Sequence, residues 1–270
     1  MFDSLPMRLY PGCKNQELGF CPDIPKSFSS LEEARNSLDF QWNGCLRAQE
    51  AEMTTESRLA TTRKFNEKFE SWSAAIHAFL KQSASNLNSR DLKGAAVLSL
   101  SRRFAAIHFD RNLTAFSTEQ TDWDKYSAEH EEMVSLAATI HEASVSTTGA
   151  SSGHAPCFSL DMNFIAPLYS VAHRCRDPII RRKAISLLYA VQRQEGIWNS
   201  ILTARVAQRL MEIEEAGLGE VRSCKDVPEW ARISDVSVRF DLEGCRGIVE
   251  YSQQRNPSKA MGRITDVIQW

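Results

Sequence analysis

The chain has 270 residues, and its 32 Lys and Arg against 34 Asp and Glu give a formal net charge of −2, a balance that argues against a strongly basic nucleic-acid binder. Hydrophobic residues at 43% and charged residues at 24% exclude wholesale disorder and the fibrous classes. A chain of this length removes roughly 70–75% of its extended surface from water on folding, enough for a core without disulfide support.

Residues 1–29 contain Pro6, Pro11, Gly12, Gly19, Pro22 and Pro25, a density of breakers that predicts an extended lead-in. Ser30-Leu31-Glu32-Glu33 then has the spacing of a capping box, in which a hydroxyl and a carboxylate satisfy orphan N–H groups at a helix start. Leu31, Ala34, Leu38, Trp42 and Cys45 follow at steps of three and four, the signature of one helical face. A second helix is predicted over about 55–84, with Phe65, Phe69, Trp72, Ile76, Phe79 and Leu80 on its apolar stripe. Ser89-Arg90-Asp91-Leu92 opens a third, carried by Ala95, Ala96, Leu98, Leu100, Phe104 and Ile107. The stretch from Asp122 to about Ala143 makes a fourth through Trp123, Tyr126, Met133, Val134, Ala137 and Ile140.

Residues 144–156, SVSTTGASSGHAP, are small and polar and predict a flexible connection between two sub-halves, 30–143 and 157–220, of one helical domain covering 30–270. Phe158 to Cys175 is almost continuously apolar, with a kink expected at Pro167. Asp177-Pro178 is a strong helix start, because Asp caps and Pro suits the first helical position. That helix is expected to run to Gly196, and the next from about Trp198 to Gly217. Beyond Pro228, Ile233, Val236, Val238, Phe240 and Leu242 alternate in part with polar residues, and Ile248-Val249-Glu250-Tyr251 follows Gly244-Cys245-Arg246-Gly247, so a β-hairpin is expected at about 232–252. The fold class expected is all-α, an orthogonal or antiparallel multi-helix bundle with a small C-terminal β-hairpin.

The seven cysteines are spread along the chain with no Cys-x-x-Cys pair, which is neither a disulfide framework nor a zinc-finger pattern. The opening MFDSLPMRLYPGCK lacks the basic and apolar regions of a secretory signal, and an intracellular, reducing compartment is expected. No window approaches the ~18–20 apolar residues of a membrane span. The motifs for dinucleotides, P-loops, zincins and α/β-hydrolases are absent.

The densest charge cluster is Arg174, Arg176, Arg181, Arg182 and Lys183, with Asp177 as its only acid. Guanidinium forks match phosphate oxygens, but the slightly acidic balance favours pairing with Glu212, Glu214, Glu215 and Glu220 on the next helix. His154 with Cys157 and His173 with Cys175 do not supply four ligands in paired spacing, so no metal is assigned and no cofactor is expected. Asp161 is a carboxylate in an apolar stretch, where burial raises a carboxyl toward general-acid duty, or where it caps a helix or pairs with an arginine. Glu195-Gly196-Ile197-Trp198 forms either a ligand wall or a packed corner, and the corner is preferred. Were the chain an enzyme, Asp161, His173, Arg176 and Glu195 would be its candidates, since they concentrate polar groups in and beside the most apolar segment.

Several stretches together resemble the C-terminal helical domain of fungal zinc-cluster transcription factors, the fungal-specific transcription factor domain. They are Pro25 to Arg35 with Leu38-Asp39, Trp72 to Leu80, Trp123-Asp124-Lys125-Tyr126, and above all Phe158 to Trp198, with Pro167-Leu168-Tyr169, Cys175-Arg176-Asp177-Pro178, Ile180 to Ala184 and Glu195 to Trp198. Arg232-Ile233-Ser234-Asp235-Val236 also fits. The resemblance implies an all-helical, nuclear regulatory domain that partners other proteins or itself, or senses a small-molecule effector, in transcription of secondary-metabolism genes. The family's cluster of six cysteines is not in this sequence, so sequence-specific DNA binding by this chain is not expected. The alternative is a repurposed isomerase or cyclase of a fungal biosynthetic pathway, with a pocket in the helical domain.

Overall fold

A computed structural model describes residues 23–50, 54–113, 118–148, 157–159 and 164–270. The described residues divide into two compact units, one within 23–113 and the other within 118–270. Within the second unit the fourth helix packs on the fifth and sixth.

The first unit holds α1 (Leu31–Glu50), α2 (Thr55–Ser83) and α3 (Ser89–Leu113), each packed on the other two. Ser30 Oγ accepts from Glu33 N at 3.1 Å, while Glu33 reaches back one residue further than expected, accepting from Ser29 N at 2.7 Å. Thr54 caps α2 by accepting from Ser57 N. At α3, Asn88 Oδ1 accepts from Arg90 N and Asp91 N, and Asp91 returns the bond to Asn88 N. The stripe predicted for α2 is buried at Phe65, Phe69, Trp72, Ile76 and Phe79. Phe69 stacks on Trp72, with ring centres 6.1 Å apart, and meets Phe109 of α3 at 5.0 Å. Trp72 Nε1 donates to the Ala34 carbonyl of α1 at 2.8 Å, which satisfies the one polar atom of that buried ring.

In the second unit a 3-10 turn, Gln120–Tyr126, leads into α4 (Ser127–Thr148), followed by β1 (Cys157–Ser159), α5 (Ile165–Arg174), α6 (Pro178–Ala190), β2 (Arg193–Glu195), β3 (Trp198–Asn199) and α7 (Ser200–Glu215). Every residue of α5 from Ile165 to His173 is buried, and α4, α6 and α7 all pack on it. Pro167 requires no kink in it. The helix begins at Ile165, which puts Pro167 at its third position, where a backbone N–H has no intrahelical acceptor to lose. Asp177 caps α6 as expected, its Oδ1 accepting from Ile179 N and Ile180 N. That helix stops at Ala190 rather than near Gly196, because 193–199 is used by a tight hairpin, β2 and β3, with β1 parallel to β2. Gly196, with φ of 53°, makes that turn at no steric cost.

The C-terminal element is a three-stranded antiparallel sheet, not a two-stranded hairpin. Its strands are β4 (Ser234–Asp241), β5 (Arg246–Gln253) and β6 (Gly262–Gln269), in that order. Val236, Val238, Val249 and Tyr251 form its buried face. The fold is mostly helical, with two small sheets. Among the described residues no helix is long and apolar enough to cross a membrane.

Candidate functional site

The polar centre of the second unit lies where α5, α6 and α7 meet. The α7 stripe runs Ser200, Thr203, Ala207, Leu210 and Glu214, all buried, so the helical period carries an acid onto the core face. On α6 the buried face is Pro178, Arg181, Ala184, Ile185 and Leu188, so a guanidinium is carried inward there too. Arg176 sits in the link between α5 and α6, where Cys175 turns the chain out of the helix with ψ of 123°.

These three residues form a buried ionic triad. Arg176 Nη2 lies 2.7 Å from Glu214 Oε1, and Arg181 Nη1 lies 2.7 Å from Glu214 Oε2, all three side chains being fully buried. Glu214 also accepts from Ile233 N at 2.7 Å. Arg176 donates further to the Arg174 carbonyl, and Arg181 Nε donates to the Ala172 carbonyl at 2.9 Å. Burial pushes the Glu214 carboxyl up, and the two guanidiniums with their hydrogen bonds more than reverse this, holding it down to about 2. It is therefore a fixed anion rather than a proton carrier. Burial pushes the Cys175 thiol up to about 12, so no thiolate is available for nucleophilic attack near neutral pH. Burial, with the Arg176 charge beside it, takes His130 down to about 4, and the ring is neutral.

The four sequence candidates do not all fall in this centre. Asp161 lies outside the described residues. His173 is buried on α5, its ring stacked on Tyr169 with centres 5.7 Å apart and planes 14° from parallel. Arg176 belongs to the triad. Glu195 is buried at the end of β2, where its Oε2 accepts from Phe164 N at 3.0 Å and Ile165 N at 2.9 Å. It thus caps α5 from a distant part of the chain, its negative charge lying at the positive end of the helix. Arg193 Nε stands 3.3 Å from its other oxygen. Beside it Trp198 is buried and meets Tyr169 at 5.6 Å, which makes Glu195–Trp198 a packed corner.

A second polar pin was not singled out from the sequence. Buried Arg232 donates to the carbonyls of Val227, Cys224 and Gln120, and its Nη1 and Nη2 each lie 2.7 Å from a different oxygen of Asp124. These five contacts match the five N–H groups of a guanidinium. Glu229 accepts from Gln120 N and Thr121 N at 2.8 Å each, capping the 3-10 turn. Two further arginines of the basic cluster are held by an acid or an aromatic face. Arg182 pairs with Glu215, and Arg174 lies over the Trp123 ring and donates to Gln120 Oε1. Among the described residues no three or more His, Cys, Asp or Glu gather where one metal ion could be held. Chemically, the arrangement fixes charge and backbone; its ionisable groups are committed to holding helix ends together.

No family model matches the chain, and no solved structure matches it. Over 101 residues, 36% of its length, the chain is 35% identical to the aspercryptin biosynthesis cluster-specific transcription regulator atnN of Emericella nidulans. The match spans 16% of that regulator's length. The chain is thus related in part to a fungal transcription regulator.

Proposed function

We propose that the chain is the regulatory part of a fungal transcription regulator, working in the nucleus on genes of a secondary-metabolite cluster. It acts through contacts with other proteins, or in response to a small-molecule effector, and does not read DNA sequence itself. The observation that carries this reading is the partial likeness to a cluster-specific transcription regulator. Two features of the chain support it. The net charge of −2 lacks the basic footprint that neutralising a phosphate backbone needs. The polar residues of the apolar segment, Arg176 and Glu195 among them, are committed to ion pairs and helix caps, which suits a scaffold that presents a surface.

The test is to fuse the full chain to a heterologous DNA-binding domain and measure a reporter with the matching operator in a filamentous fungus. The fusion is expected to change reporter output relative to the DNA-binding domain alone, and a fluorescent version to accumulate in nuclei. A fusion that is folded and nuclear, yet leaves the reporter unchanged, overturns the reading.

A further inference from the structure

The C-terminal sheet has two edges that differ in kind. β4 is interrupted by a bulge between Ser234 and Ser237, with Asp235 at φ of 51°. β6 pairs with β5 through eight consecutive residues without a break. Which of its backbone groups face outward follows from one bond. Trp270 N donates to the Cys245 carbonyl at 3.0 Å, and this pair continues the register that sets Arg246 opposite Gln269. Bonded and non-bonded pairs alternate along an antiparallel ladder. Gly262, Ile264, Asp266 and Ile268 therefore point their N–H and C=O at β5, and Arg263, Thr265, Val267 and Gln269 point theirs away. All four of these residues are exposed, and among the described residues no other element's backbone bonds to them.

Proteins blunt such an edge with proline, a bulge, lysine or an outward charge. The β6 sequence GRITDVIQ has no proline and no lysine, and its two charges are turned away from the edge. Arg263 leans back across β5, its Nη1 donating to the Asp235 carbonyl at 2.7 Å and its Nη2 lying 3.6 Å from Glu250. Asp266 is drawn to Arg209 of α7 at 2.6 Å. Thr265, Val267 and Gln269 are left, uncharged, beside an open row of donors and acceptors.

We propose that β6 pairs with β6 of a second copy of this chain, antiparallel about a two-fold axis at Thr265, so that two sheets join into one of six strands. A two-fold axis perpendicular to a sheet opposes residues of equal parity, and so brings outward-facing groups to outward-facing groups. Centring on Asp266 or Arg263 would set that charge against itself. Centring on Thr265 opposes Thr265 to Thr265, Arg263 to Val267 and Ile264 to Asp266. It is the longest register that sets no like charges opposite, and it places a favourable Thr–Thr pair on the axis. A lone strand pair stands at the low end of interface sizes, so dissociation in the micromolar range is expected. The pairing is independent of the regulatory reading.

The test uses the full chain in sedimentation velocity and in disulfide trapping, with exposed Cys245 replaced by serine. Bonded antiparallel partners have Cα atoms about 5.5 Å apart, within disulfide reach. Thr265→Cys should therefore cross-link two copies under mild oxidation much faster than Val267→Cys, whose residue faces Arg263 of the other copy. Val267→Lys, at a position 49% exposed in the single chain, should keep its circular dichroism and weaken the dimer roughly tenfold or more. Thr265→Pro, which removes an outward N–H, should act the same way. A chain that stays monomeric from micromolar to millimolar concentration overturns the proposal. So does cross-linking at 267 as fast as at 265, or a dimer indifferent to both Val267→Lys and Thr265→Pro.

Discussion

Replacing Glu214 by glutamine keeps the shape of the side chain and removes the only carboxylate of the triad. Arg176 and Arg181, both fully buried, are then left as two like charges without a counterion. Breaking a buried pair from one side costs about 3–5 kcal/mol. The linkage argument reaches the same size. Glu214 is held down to about 2 from an ordinary 4.5, a gap worth on the order of 3 kcal/mol in favour of the folded state. A folded-state value below the unfolded one gives stability that is present above about 4.5 and lost as pH falls toward 2. Glu214→Gln should therefore lower the melting point of this unit by about 10 °C near neutral pH and flatten its stability between those two pH values. Because two compact units need not unfold together, hydrogen exchange read over α5, α6 and α7 is the assay, with a urea titration beside it. A loss under about 1 kcal/mol, or one confined to α1–α3, would refute the reasoning. Replacing all three residues by Met or Leu should cost less than Glu214→Gln alone, since no charge is then left stranded.

Three further outcomes follow from buried groups. His130 is held near 4 in the folded chain against an ordinary 6.5, so the unfolded state takes up its proton first and stability falls as pH drops from about 6.5 toward 4; neither ring nitrogen has a hydrogen-bond partner among the described residues, and His130→Leu should remove this dependence and raise stability by about 1 kcal/mol in a urea titration. A Cβ at Gly44 of α1 would stand 2.9 Å from the buried Phe65 ring of α2, so Gly44→Ala should destabilise by about 1 kcal/mol despite its better helix propensity, as overpacking outweighs the propensity gain. Arg232→Lys keeps the charge but has three donors for five acceptors, and should cost about 2–3 kcal/mol by chemical denaturation, with loss of exchange protection around residues 120–126.

Where periodicity and capping chemistry agree, the helices were readable. The stripe of α2, the start of α3 at Ser89 and the Asp177-Pro178 start of α6 are local signals needing nothing from elsewhere in the chain. What escaped was set by distant partners. In α6 the residues do not sort by hydrophobicity, since Ile179 is 77% exposed and Arg181 is buried; Glu214 overrides hydrophobicity there by giving the guanidinium a counterion. The signal existed in the i, i+3, i+7 spacing that puts Glu214 on the same stripe as Thr203, Ala207 and Leu210. An acid on a core-facing stripe demands a buried cation. The third strand was missed because the 254–261 link is too long for a hairpin signature, and because Asp266 breaks the apolar alternation of Ile264 and Ile268 until Arg209 neutralises it. Arg176 and Glu195 stood out as polar groups in an apolar segment. Their roles depended on Glu214 and on the first N–H groups of α5, which no local window contains.

The contacts of Arg232 bear on how this chain can be cut. Its five acceptors come from Gln120 and Asp124 at one end of the second unit and from Cys224 and Val227 at the other, and the next residue supplies the N–H that completes Glu214. A fragment stopping at the end of α7 would contain every α-helix of this unit, yet Asp124 would lose the Arg232 guanidinium and Glu214 the backbone N–H of Ile233. A piece that keeps both sets of contacts must run at least from about residue 118 through Ile233, and the closing clasp is the last part of that stretch a ribosome makes. The helices leave the ribosome before the segment after Gly219, and only that segment completes the partners of Asp124 and Glu214.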